Sequence, residues 1–178
     1  MPTSCFIPAK TTSSNWGILL AALMLLVGCT PEGEVISETT CNAATAEAIY
    51  TWRVQYYTNP SRNNPNDYRW VEFSTTRLTN RNGEKPAAAV TGPDDNGVWW
   101  PALPARPLVD EVDDRRKFSE RNDAPELLRT VNYRLDCAIG PLTTDPLTYR
   151  QTAKAFRGNQ TVKASYSLGR VLNVSFSQ

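Results

Sequence analysis

Carboxylates supply the densest chemistry in this 178-residue chain. Asp110, Glu111, Asp113 and Asp114 put four acids within five positions, and Asp94-Asp95-Asn96-Gly97 forms a second acidic knot. Such groups can hold a calcium ion or share general acid and base roles. The spacing argues against both. On a helix the first four do not all face one way. The second set lacks the alternate-residue spacing of a calcium loop and reads as a plain turn. The chain contains no histidine, which excludes a histidine triad, an imidazole base and histidine metal ligation. No Gly-rich phosphate loop is present. No catalytic residue, metal centre or cofactor is therefore expected, and a carboxylate-based hydrolase is the one enzymatic option left open.

The most distinctive stretch runs from Trp99 to Pro107, WWPALPARP. Pro101, Pro104 and Pro107 recur every third residue, which is the repeat of a polyproline II helix. Two readings stand side by side. The stretch is a rigid connector whose tryptophans pack on a sheet, or Trp99, Trp100, Pro101 and Pro104 are candidate contacts for a protein partner or a glycan. Tyr50, Trp52, Tyr56, Tyr57, Tyr68 and Trp70 form a second aromatic set, and only some of them can point inward if they lie on strands.

Cysteine completes the reactive inventory, with Cys5, Cys29, Cys41 and Cys137. Cys29 follows Gly28 and a ten-residue apolar run, Ile18 to Val27. A membrane-spanning helix needs about 17–25 such residues, whereas the apolar core of a signal peptide has about 7–15. Leu26-Val27-Gly28-Cys29 resembles the lipobox of bacterial lipoproteins. The resemblance covers only the leader. It implies that residues 1–28 are a signal peptide, that a signal peptidase recognises Leu26, Val27 and Gly28, and that the Cys29 thiol carries a diacylglycerol. Membrane lipid held through Cys29 is then the first expected partner, at about 0.8 kcal/mol per buried methylene, with two or more chains needed for a stable hold. The same resemblance implies a bacterial cell-envelope location. Thr30 stands where an inner-membrane retention signal would place aspartate, so the outer membrane is favoured in a host with two membranes. WWPALPARP followed by VDEV is also faintly similar to uncharacterised cyanobacterial lipoproteins, which implies a source and no mechanism.

With Cys5 removed and Cys29 lipidated, Cys41 and Cys137 remain. An even pair in an exported chain is expected to form a disulfide; free thiols or a metal pair are the alternatives, and two lone cysteines make a poor zinc site. Residues 29–40 read as a tether and 41–178 as one globular domain. Beyond residue 28, Lys plus Arg balance Asp plus Glu, 18 against 18, so nucleic acid is not an expected partner. The balance hides an asymmetry: residues 29–126 carry net −5 and residues 127–178 net +5.

The elements that must position these groups are mostly strands. Leu127, Arg129, Val131, Tyr133, Leu135 and Cys137 share one face of a period-two pattern, with Arg129 as its odd member. Tyr50, Trp52, Val54 and Tyr56 alternate likewise, although Asn42-Ala43-Ala44-Thr45-Ala46-Glu47-Ala48 before them suits a helix. Tyr68 to Leu78 is a third strand. The C-terminus reads as a hairpin or meander of strands: Tyr149 to Phe156 leads into a turn at Arg157-Gly158-Asn159-Gln160, and the pattern of Val162, Ala164, Tyr166 and Leu168 resumes in Leu172, Val174 and Phe176. Leu108 to Arg121 is read as a helix, with acids first and bases last to offset the macrodipole and a thin stripe of Val109, Val112 and Phe118. The expected fold is α+β: an antiparallel sheet of five or six strands with one or two surface helices, with a small β-barrel as the alternative. The expected function is a non-enzymatic, lipid-anchored envelope protein that binds or assembles another envelope protein near the membrane. A glycan or small-ligand module using exposed aromatics is the alternative.

Overall fold

A computed structural model describes residues 36–58 and 68–178. Over these residues the fold is α+β: a mixed, seven-stranded sheet with two helices. The strands are β1 (Ser37–Tyr57), β2 (Tyr68–Arg81), β3 (Arg121–Asn122), β4 (Glu126–Cys137), β5 (Gly140–Thr143), β6 (Thr161–Ser167) and β7 (Arg170–Ser177). The helices are α1 (Val109–Asp114), between β2 and β3, and α2 (Pro146–Arg157), between β5 and β6. Strand order is β2-β1-β4-β5-β7-β6, with β3 beside β1. The first residues of β1 also pair with β6, so the pairings from β1 through β4, β5, β7 and β6 return to β1. All are antiparallel except one bridge, Thr143 to Arg170.

β1 is the organising strand, 21 residues long and paired with β2, β3, β4 and β6. Its alanine-rich start is strand rather than helix, and burial explains the choice. Ala44, Ala46 and Ala48 are fully buried in one core with Tyr149, Ala153 and Ala155 of α2. Small side chains on both elements let helix and sheet approach closely, and that packing outweighs the modest helix preference of alanine. β1 also begins at Ser37, so residues 37–40 of the expected tether are strand, paired with Lys163 to Tyr166 of β6.

β4 keeps the alternation read from its residues. Leu135 and Cys137 are buried, and Leu127, Val131 and Tyr133 pack against the same core. A disulfide joins Cys137 to Cys41, its direct cross-strand partner on β1.

Three elements depart from expectation. Tyr149 to Phe156 is helix, not strand. Asp145 caps α2 by accepting from the Leu147 and Thr148 amides at 2.9 and 3.0 Å, and Pro146 occupies the first turn, where its missing N–H costs nothing. α1 has six residues, not fourteen. Arg69 takes the Arg115 carbonyl at 2.6 Å, the group that a continuing helix would offer to Ser119, and Ser119 turns to φ +71°. Phe118 is consequently 99 % exposed, and of the expected stripe only Val112 is buried. On β7 the inward residue is Val171, not Leu172, because a register shift between Ser165 and Tyr166 reverses the alternation.

Candidate functional site

Leu26, Val27, Gly28 and Cys29 lie outside the described residues. The carboxylates do not converge. Glu111 accepts from the Leu108 amide at 2.8 Å, Asp113 lies 3.5 Å from Arg116, and Asp110 and Asp114 are exposed. Asp94 is occupied in its own turn, accepting from the Asn96 and Val98 amides and from the Trp100 indole, each at 3.0 Å. Among the described residues no group of histidine, cysteine or acidic side chains could hold a metal ion, and no helix is long and apolar enough to cross a membrane.

The Trp99–Pro107 stretch is laid along the sheet. Asn80, fully buried, accepts from the Trp99 amide at 2.7 Å and donates to the Trp99 carbonyl at 3.0 Å. Thr76 donates to the Ala102 carbonyl at 2.7 Å, Ser74 to that of Ala105, and the Trp52 indole to that of Pro104 at 3.0 Å. Tyr50 packs on Trp100 with ring centres 4.8 Å apart. A polyproline II strand has no internal hydrogen bonds, so its carbonyls are free to accept from these side chains of β1 and β2. Trp100, Pro101, Pro104 and Pro107 are buried, and Trp99 is half-buried.

Several other aromatic faces carry cations. Arg53 lies 4.0 Å from the centre of the Trp70 ring, Arg69 4.5 Å from Tyr56, Lys85 5.3 Å from Trp99 and Arg106 5.6 Å from Trp52. Arg129, the odd member of the apolar face of β4, lies 4.4 Å over Trp100. At the partly exposed Trp52, Trp70 and Trp99 these cation–π contacts place charge where a sugar ring would otherwise stack.

Two of the concave surfaces among the described residues bear on binding. One is an apolar groove of about 410 Å³ beside α1, lined by Pro107, Leu108, Val109, Val112 and Pro125 among others. Leu108 and Val109 are 69 % and 76 % exposed. The second is a polar cleft of about 280 Å³ between α2 and the Pro93–Gly97 turn. Tyr149 lines it, next to Tyr133 at 5.2 Å between ring centres. Burial pushes the Tyr149 hydroxyl up to about 12, with the nearby Gly83 amide opposing the shift, so the group stays protonated at neutral pH. Tyr133 is also raised, by burial first and then by the Asp94 charge.

Both surfaces escaped the sequence reading. The groove needs a helix that stops at Asp114, which an Arg69 contact 46 positions away decides. The cleft needs α2, whose signal was present in Asp145-Pro146 at the start and Gly158 at the end. Comparison of the chain with protein-family models, with curated proteins and with solved structures found no match.

Proposed function

We propose that this chain is a lipid-anchored cell-envelope protein, held through Cys29, that binds another envelope protein close to the membrane and carries out no catalysis. The leader resemblance supports the anchor. The Cys41–Cys137 disulfide fits an oxidising compartment. The reading of a binding role is supported by how the potentially reactive side chains are used. Asp94 and Asp145 cap a turn and a helix, Glu120 and Glu126 pair with arginines, and the two described thiols are joined.

The α1 groove is the observation that carries the protein-binding part. Exposed apolar side chains grouped around a concavity mark interaction surfaces, whereas isolated ones do not. Leu108, the N-cap, and Val109 project at the start of a short helix whose underside is fixed by Val112 and by the Tyr56 hydroxyl, which donates to the Val112 carbonyl at 2.7 Å. The groove is therefore held open by packed residues while its rim stays free to be covered. A partner presenting a few apolar side chains would fill it.

The test is cross-linking in intact cells followed by co-purification from the membrane. The wild-type chain is compared with Leu108→Glu plus Val109→Asp, and with Lys163→Glu as a control. All three positions are exposed, so the fold should persist. A partner captured at constant stoichiometry by wild type and control, and lost in the double variant, is the expected result. An identical set of proteins from all three would refute the groove as the contact.

A further inference from the structure

The cleft under α2 has a chemistry that the protein-binding reading does not use. Arg150, Lys154 and Arg157 line it. Their four- and three-residue spacing places them on one helix face. No carboxylate lies within ion-pair distance of any of the three among the described residues. The opposite wall contains Asp94 and Asp95. Asp94 already accepts from three donors of its own turn, and Asp95 is exposed.

Tyr149 is the decisive residue. It is 0 % exposed, it lines the cleft, and its O–H finds no acceptor among the described residues, the Gly83 amide facing only its oxygen. Buried hydroxyls are nearly always paired, so an unpaired donor lining a cationic cleft calls for an acceptor. Gly83 shows how closely the parts meet. A Cβ built there would lie 3.7 Å from the Ala153 Cβ, 3.9 Å from the Gly97 carbonyl oxygen and 4.0 Å from the Arg157 guanidinium carbon. The Arg157 head group thus sits where α2 meets Gly83 and the Pro93–Gly97 turn.

We propose that this cleft binds a small oxyanion, a carboxylate or phosphate group, between the Tyr149 hydroxyl and the side chains of Arg150, Lys154 and Arg157. The tyrosine O–H donates to one oxygen. The planar guanidinium of Arg157 suits two oxygens of the same group, and Lys154 adds a point charge. A free anion and the head group of an anionic lipid share this chemistry. The inference stands whether or not the α1 groove holds a partner.

Isothermal titration of the full chain in a non-ionic detergent tests it, with inorganic phosphate and dihexanoylphosphatidylglycerol as the two probes. Saturable binding of either probe is expected. Tyr149→Phe should weaken it about fivefold to tenfold, the loss of one charge-assisted hydrogen bond. Arg157→Gln should weaken it at least as much, while Lys163→Gln on β6 should leave it unchanged. Tighter binding of phosphate identifies a free anion as the ligand, and tighter binding of the lipid identifies a head group. The proposal is overturned if neither probe saturates. It is equally overturned if Tyr149→Phe and Arg157→Gln leave both titrations unaltered, or if Lys163→Gln weakens them as much as Arg157→Gln does.

Discussion

Arg69 donates to three oxygens at once: both carboxylate oxygens of Glu120, at 2.9 and 2.7 Å, and the Arg115 carbonyl. The guanidinium holds the Glu120 carboxyl down at about 2 against partial burial, with the Lys117 amide helping. A depressed carboxyl contributes stability above its ordinary value, and that stability is lost as pH falls towards the folded value. Thermal unfolding between pH 5 and pH 2 should therefore show a loss that Glu120→Gln reduces, the remainder including the capping carboxylate of Asp145, which is also held low. A wild type and a variant with parallel acid profiles would show that the pair does not matter. None of this was legible locally. Glu120 reads as one more charge near the end of a helix, and its partner lies 51 positions away. Arg129 is the counterexample. Its place on an apolar face was visible as an anomaly, and the ring of Trp100 beneath it explains why a cation fits there.

At the scale of elements, the polyproline stretch depends on side chains rather than on a backbone ladder. Asn80 imitates one rung of a sheet by giving and receiving a hydrogen bond at Trp99. Asn80→Leu keeps the approximate volume and strands both backbone groups of Trp99. The cost should be about 2–3 kcal/mol, at the upper end for buried groups left unpaired, measured as a lowered urea midpoint with unchanged slope. A variant as stable as wild type would mean that the stretch is held by its buried prolines alone. Alternation located β1, β2, β4 and β6, because one face of each packs on the core and period-two patterning records that directly. The helices were harder. α2 hides its polar face among residues that alternate equally well, and its caps carried the deciding signal. α1 looked long because its acids come first and its bases last, as a macrodipole favours, yet the contact at Arg115 ends it.

For the whole molecule, the disulfide ties the start of β1 to the end of β4 across 96 positions. Cross-linking a loop of that size restricts the unfolded chain by about 4–5 kcal/mol in the chain-entropy model. Unfolding with and without a reductant should differ by that order, and a difference under about 1 kcal/mol would contradict the model. The α+β class was readable because strand patterns dominate the chain and the Cys137 alternation pointed its thiol inward. The return of the pairings from β6 to β1 was not readable. It depends on residues 37–40, whose polar composition resembles a tether until β6 supplies their partners.

The claim on which the functional account rests most is the anchor, and one measurement addresses it. The mature protein is purified from its native membrane, and its amino-terminal peptide is weighed by mass spectrometry. The account predicts a chain that begins at Cys29 and carries a diacylglycerol on the thiol, with Cys29→Ala abolishing both the cut and the lipid. A chain that keeps residues 1–28, or that is cut elsewhere and leaves the Cys29 thiol free, would contradict it.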